Sequence, residues 1–377
     1  MENVFLIIGD NYGRRIKTFA GCLEKAGNYS YNVLDWMDLL NEPEILGEFL
    51  EKSSIVKVEP PEKNIEIYRK FLEYGNGAEI ILSEEKKAGV KNDEIIKAPG
   101  VWFDGVKNIF GRISEISDNY KNTYFMCDID ELLIMMDKKA TYEYLSGSED
   151  SFLLPERTRD FHNYDDFFET VKNKTAKYFI KLRCGSGSTG VLAYSYNPKL
   201  DEEKIFTSLN YSEENGKREF FSTYRVKMYT EKNVIKNMIN WVIENGAHIE
   251  KWLPKLTYEK YGFDTRVFTA GKKAEYMLSR LSTGPITNLH LKNMRKESSE
   301  FMEEKHLKLL TEASEGVMKI FNKSLYAGID VLISNNFKPY IIDVNPFGDL
   351  FHNLIDSPEN VYYAEIREAL KEKALRK

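Results

Sequence analysis

The chain has 377 residues, is 42% hydrophobic and 30% charged, and carries a formal net charge of −6. This is the composition of folded protein rather than disordered chain, and a length for two or three packed units. The negative charge excludes double-stranded nucleic acid as the main partner, because that affinity comes from neutralised phosphates.

The longest apolar runs, Val4–Ile8 and Leu132–Met136, have five residues. A membrane helix needs roughly 20, so no membrane span is expected. The first run has no basic flank and closes on Gly9-Asp10, unlike a secretory segment. The three cysteines, Cys22, Cys127 and Cys184, are far apart. That spacing excludes a disulfide framework or a Cys-based zinc site and points to a reducing cytoplasm.

Val4–Ile8 reads as a buried strand ending in the turn cluster Gly9-Asp10-Asn11-Tyr12-Gly13. Ile16, Phe19, Ala20, Leu23 and Ala26 follow at helical spacing, stopped by Gly27. Strands are expected at Tyr31–Leu34 and Ser54–Val58, and a helix through Ile67, Phe71 and Leu72 ending near Gly75. Such alternation predicts a small α/β domain with a parallel sheet. Residues 80–125 show no clear period. A helix that contains Asp137–Tyr142 and ends by Gly147 is expected, another over Tyr164–Lys172, then strands at Lys177–Arg183 and Val191–Tyr194. Residues 210–240 are polar and read as a hairpin insertion, a candidate for peptide contact.

Three constellations carry chemistry. In the first, Lys181 and Arg183 share a strand face and lead into Gly185-Ser186-Gly187-Ser188-Thr189-Gly190. Small residues let backbone N–H groups approach anionic oxygens closely. In the second, Gly328–Ile333 and Pro339–Asn345 flank a polar turn, a hairpin signal. With the turn centred between Asn336 and Phe337, Asp330 lies opposite Asp343, and Asn345 shares the face of Asp343. Opposed acids in apolar strands call for a compensating charge. Two carboxylates and an amide oxygen suit Mg²⁺. In the third, Asp264 and Arg266 share a strand face, Arg280 returns on a partner strand, and the loop beyond carries Asn288, His290 and Asn293. Arginine forks match carboxylate or phosphate.

In this order and spacing, over roughly Leu132 to Leu354, the three constellations resemble the ATP-grasp superfamily, most closely its amino-acid and peptide ligase branch. The resemblance implies an α/β (α+β) fold in three parts: an N-terminal α/β domain over 1–125, a glycine-loop lid and central region over 126–250, and a C-terminal metal and substrate domain over 251–377. It implies ATP held by Lys181, by Lys138 (or Lys139), and by Gly185, Ser186, Gly187, Ser188, Thr189 and Gly190. Ala247–Pro254 is similar to the family's adenine hinge, with Glu250, Lys251, Trp252 and Leu253 as contacts. Asp330, Asp343 and Asn345 match the metal set, although the family usually has Glu where Asp343 stands. Asp264, Arg280, Asn288, His290 and Asn293 fall on the substrate side, and Arg266, Lys181 and Asn345 carry the catalytic roles.

The implied reaction joins a small-molecule or peptide carboxylate to an amine. The carboxylate takes the γ-phosphoryl group of ATP, with Mg²⁺ as cofactor, and the amine then displaces phosphate from the acyl phosphate. Phosphoryl transfer asks mainly for positioning and charge neutralisation, which suits a chain with no evident Ser-His-Asp or Cys-His set. The alternatives are a kinase on the same scaffold, acting on a hydroxyl, and a nucleotide-binding assembly protein without catalysis. The motifs name neither the acid nor the amine.

Overall fold

The computed structural model describes all residues except 1–3, 62–63, 81–96, 149, 186, 215–216, 288–293, 352–359 and 377. The chain begins with β1 (Val4–Gly9), α1 (Arg14–Gly27) and β2 (Ser30–Asp35). Two short helices that hydrophobic spacing does not mark follow, α2 (Trp36–Asn41) and α3 (Ile45–Leu50), then β3 (Ile55–Val58) and α4 (Ile65–Tyr74). β1 is apolar throughout because parallel neighbours flank it on both edges and helices cover its faces. With β4 (Tyr124–Phe125) the strand order is β2-β1-β3-β4, all parallel. α1 runs one residue past its expected stop. Asn28 takes φ of 51° and donates its N–H to the carbonyls of Leu23 and Glu24, a left-handed cap that asparagine tolerates.

α5 (Pro99–Ser117) occupies part of the stretch that shows no clear period. It packs backbone to backbone on α4. A Cβ on Gly105 would overlap the Phe71 carbonyl, and one on Gly75 would overlap that of Val101. Glycine is required here by close approach.

Next come α6 (Ile129–Met136), α7 (Lys138–Leu145) and α8 (Tyr164–Val171). They lead into β5 (Ala176–Leu182), β6 (Val191–Asn197), β7 (Glu202–Glu214), β8 (Lys217–Tyr229), α9 (Lys232–Glu244) and β9 (Ala247–Lys251). This second sheet is antiparallel, in the order β8-β7-β6-β5-β9. The hairpin expected over 210–240 is present as β7–β8. Its last third is instead α9, which buries Val234, Ile235, Met238, Ile239 and Val242 at helical spacing against the sheet.

The third sheet is built from β10 (Thr257–Tyr258), β11 (Tyr261–Ala270), β12 (Lys273–Ser282), β13 (Met294–Glu297), β14 (Tyr326–Ile333) and β15 (Pro339–Asn345). Its order is β13-β12-β11-β14-β15, with β10 paired to β11. α10 (Glu304–Ile320) covers one face, where Leu310, Ala313 and Val317 share a core with Ile329, Val331 and Ile341. The opposite face looks onto the cleft. α11 (Val361–Leu375) turns back and packs Tyr362, Ile366 and Ala369 into the core of the first sheet.

The β14–β15 register decides what faces the cleft. Ile333 pairs with Pro339 and Val331 with Ile341, so the turn centres on Asn336 alone. A bulge at Ile342 then shifts the ladder, and Asp330 pairs with Asp343 and Gly328 with Asn345. The two acids are opposed as the sequence predicts, by a route it does not show. An unbroken ladder would put Ile342 opposite Asp330 and turn Asp343 toward the α10 core. The burial pattern changes phase at that point: Pro339 and Ile341 are buried, and beyond the bulge Val344 is.

Candidate active site

The cleft lies between the second and third sheets and draws side chains from both. At one end Lys181 on β5 points at Glu250 on β9, with Nζ 2.5 Å from Oε1. His248, two residues before Glu250 and on the same face, meets the other oxygen, Nε2 to Oε2 2.9 Å. Burial alone would raise the Glu250 pKa. Lys181, then His248, outweigh it and hold the carboxyl at about 2.

Lys138 opens α7. Its Nζ donates to the Gly185 carbonyl at 2.8 Å and lies 3.5 Å from Asp343 Oδ1. Lys139, the other candidate, turns away and pairs with Asp160 at 2.5 Å. Gly185, Gly187 and Ser188 line the cleft beside Lys138 and Val191. Thr189 and Gly190 are not among the lining residues, and Ser186 lies outside the described residues. Arg183 does not join Lys181. β5 ends at Leu182, and Arg183 forms a fork on Asp137, the N-cap of α7, with Nε to Oδ1 3.0 Å.

In the hinge, Glu250, Lys251 and Leu253 line the cleft. The Lys251 and Trp252 N–H groups are already used, on the carbonyls of Glu156 (2.9 Å) and Lys177 (3.2 Å). The Lys251 side chain pairs with Glu156. The Trp252 ring packs on Phe179, 5.4 Å between centroids, and Trp252 is not among the lining residues.

The other end is a ladder of opposite charges set by strand register. Asp264 on β11 lies opposite Arg280 on β12, and Arg266 on β11 lies opposite Asp330 on β14. Arg280 Nε donates to Asp264 Oδ1 at 2.6 Å, and its Nη2 reaches Asp330 Oδ2 at 2.9 Å. Arg266 Nε donates to Asp330 Oδ1 at 2.5 Å, Nη2 to Oδ2 at 3.2 Å, and Nη1 to Asp349 Oδ2 at 3.1 Å. Asp264 is therefore paired across strands with Arg280, rather than along its own strand with Arg266. Its second oxygen accepts from Thr287 and lies 3.5 Å from Lys255 Nζ. Asp264 is thus saturated by protein groups and organises the cleft. Asn288, His290 and Asn293 lie outside the described residues.

Asp330 lines the same cleft as Asp343 and Asn345, and its carboxylate is met by Arg266 and Arg280. Burial pushes its pKa up, but Arg266 and then Arg280 bring it down to about 2. Among the basic groups of the described residues, only Lys138 lies within 4 Å of the Asp343 carboxylate. The Asn345 amide donates Nδ2 to the Gly328 carbonyl at 3.2 Å, which fixes its orientation and leaves Oδ1 to accept. Among the described residues no group of three His, Cys, Asp or Glu converges as a metal site. An oxygen pair from Asp343 and Asn345 still fits Mg²⁺, which keeps water and phosphate oxygens as its remaining ligands.

Glu250 and Asp330 have a consequence for acid stability. Their folded pKa values lie below those of the unfolded chain, so their contribution is complete above about pH 4.5 and is lost as pH falls toward 2. For buried Glu250 alone this is about 3 kcal/mol. Chemical denaturation at pH 7, 4 and 3 is expected to show stability falling below pH 4, and Glu250→Gln is expected to flatten that fall. An equally steep fall in Glu250→Gln would remove Glu250 as its source.

No family model and no curated protein matches the chain. Solved structures do. D-cycloserine synthetase DcsG superposes with a TM-score of 0.55 at 11% identity over 100% of both chains. A Chryseobacterium gregarium RiPP-associated ATP-grasp ligase, in complex with ADP and a leader and core peptide, gives 0.52 at 12% identity over 98% of this chain and 97% of that one. The D-alanine–D-alanine ligase of Bacillus anthracis complexed with ATP gives 0.51 at 13% identity over 100% of both. The chain has the ATP-grasp fold. Within it, residues of the cleft that the motifs do not single out are Lys255 and Thr287, and behind them Asp349, which grips the lining Arg266. Burial holds the Lys255 ammonium below its usual pKa. Thr287 directly precedes Asn288 and Asp349 follows Asn345 by four residues, so proximity to the motif residues was the one available signal.

Proposed function

We propose that the protein is an ATP-dependent ligase joining a carboxylate to an amine through an acyl phosphate, with release of ADP and phosphate. The observation that carries this is convergence. Lys181, Lys138 and the glycine loop stand at one end of a single cleft, Arg266 and Arg280 at the other, and Asp343 and Asn345 between them. The ATP-grasp fold supports a nucleotide there, and the named neighbours include ligases of amino acids and peptides. The substrates are read as an amino-acid or peptide carboxylate and an amine. The chain's free thiols, and the lack among described residues of a helix long and apolar enough to cross a membrane, fit action in the cytoplasm.

Lys181 and Lys138 bind the phosphates with the Gly185, Gly187 and Ser188 backbone. Glu250 accepts from the adenine amino group, and the Leu253 backbone meets the ring. Asp343 and Asn345 hold Mg²⁺, which offsets charge on the phosphate oxygens when bound. The Arg266 and Arg280 forks orient the acceptor carboxylate and the transferred phosphoryl group. The glycine loop keeps water from the acyl phosphate. A carboxylate acceptor is already ionised at pH 7 and needs no base, whereas a hydroxyl acceptor profits from one within reach. Two acids at the acceptor end are tied up, Asp264 by Arg280, Thr287 and Lys255 and Asp330 by Arg266 and Arg280.

Lys181→Ala is expected to weaken MgATP by about 1.5–3 kcal/mol, the scale of a hydrogen bond to a charged group. Unchanged affinity by calorimetry would count against the phosphate role. The reaction class is tested by incubating enzyme, MgATP and candidate acids with hydroxylamine. The ligase traps a hydroxamate and releases ADP with free phosphate. ADP with a stable phosphate ester and no hydroxamate would make the protein a kinase.

A further inference from the structure

The motifs assign His248 no role, and the proposed chemistry uses none, yet it sits behind the carboxylate proposed to read the base. Its side chain is buried beside Glu250, at 2% and 4% exposure. A carboxylate can only accept, so Nε2 of His248 carries the proton in the 2.9 Å contact with Oε2. The other ring nitrogen, Nδ1, is buried with no hydrogen-bond partner among the described residues. The Glu250 contact is therefore the polar interaction that accounts for an imidazole here. In the β5–β9 register His248 stands opposite Lys181. The three groups form a line in which Glu250 gives one oxygen to Lys181 and the other to His248.

We infer that His248 is a positioning residue for base selection, fixing Glu250 so that the cleft takes adenine over guanine nucleotides. The inference rests on the reading of this cleft as an ATP site. Without His248, Glu250 is free to turn both oxygens onto the Lys181 ammonium. Two things are lost together. The carboxylate leaves the base edge, and Lys181 is drawn from the phosphates. Adenine presents an amino donor to Glu250, and guanine presents a carbonyl oxygen that a fixed carboxylate repels. A mobile carboxylate discriminates less.

The test is calorimetric titration of the full-length protein with MgATP and with MgGTP. His248→Leu removes the donor. His248→Gln keeps an N–H at the reach of Nε2, and His248→Asn has one that falls short. His248→Leu is expected to weaken MgATP about tenfold, with MgGTP changed less than threefold, so the ATP preference falls. His248→Gln is expected to stay within threefold of wild type for both. Should His248→Leu not fold, the comparison is Asn against Gln, with Asn weakened and Gln retained. Wild-type affinity and preference in folded His248→Leu, or equal loss in Gln and Leu (or Asn), would overturn the inference and leave a packing role. Wild-type protein that binds no MgATP would overturn the nucleotide reading itself, and this inference with it.

Discussion

Asp343→Asn is expected to abolish ATP turnover and leave the fold intact. The Asp343 side chain is a quarter exposed, and its one ion-pair partner among the described residues, Lys138, is also bonded to the Gly185 carbonyl. Neutralising it strands no buried charge, and a partly exposed pair of this kind is worth about 0–1 kcal/mol. Catalysis is a different matter. Asp330 has both oxygens on arginine, so Asp343 is the cleft carboxylate proposed to meet Mg²⁺ directly. Losing groups one shell further out typically costs about 10–100-fold, so loss of the ligand itself is expected to cost at least about 100-fold in ADP release. Turnover within tenfold of wild type, with an unchanged thermal melt, would remove Asp343 from the metal set.

Lys57→Met is expected to be the most destabilising of the changes considered. Lys57 is fully buried on β3, with Nζ 2.5 Å from Glu365 Oε2, 3.0 Å from the Tyr326 hydroxyl and 3.3 Å from Glu59 Oε1. Glu59 is further held by Arg15 at 3.0 Å and by the Tyr362 hydroxyl at 2.9 Å. This cluster pins β3 of the first sheet to α11 and β14. Breaking one partner of a buried pair costs about 3–5 kcal/mol because the other charge is stranded. Glu59 keeps two partners after the change, so the stranded group is Glu365. Burial first, and Glu59 as well, push its carboxyl up to about 7 even with Lys57 present. A carboxyl raised in the folded state favours folding below its unfolded pKa of about 4.5, and that contribution is lost as pH rises through 7. The Lys57→Met penalty is therefore expected to be larger at pH 8 than at pH 6, where Glu365 takes up a proton. Urea unfolding at the two pH values measures it. A loss under about 1 kcal/mol at both would mean that packing, not charge, holds α11 in place.

The parallel sheet was legible because β1 is a closed apolar run and α1 has a clean helical stripe. α5 was not. Its Pro99, Gly100, Gly105 and Gly111 lower helix propensity, and Gly105 is there for contact with α4, a partner that local pattern does not contain. The opposed acids, Lys181 and the glycine loop could be found from strand periodicity. The partners of the charged groups could not. Asp330 is opposed to Asp343 by register, yet its charge is met by Arg266 and Arg280, 64 and 50 residues away in the chain. Asp264 bonds Thr287 across 23 residues, and Lys57 bonds Glu365 across 308. Sequence spacing shows which faces carry charge. Which opposite charges meet is decided by strand order, and strand order is a property of the whole sheet.

The bulge at Ile342 bears on how this chain lines up with its distant neighbours. Ile342 is a surplus residue, since Val331 pairs with Ile341 before it and Asp330 with Asp343 after it. A chain one residue shorter at this point would still oppose the two acids. It would give up the Ile342 side chain as a wall of the cleft and its carbonyl, 3.5 Å from Lys181 Nζ. A single-residue insertion or deletion inside a strand, normally ruled out when sequences are aligned, is tolerated here by the geometry. Against a chain without the bulge, an alignment that forbids a gap in β15 would misplace either its apolar half or its acid half by one residue. The second error would hide Asp343 and Asn345 from a comparison made on sequence alone.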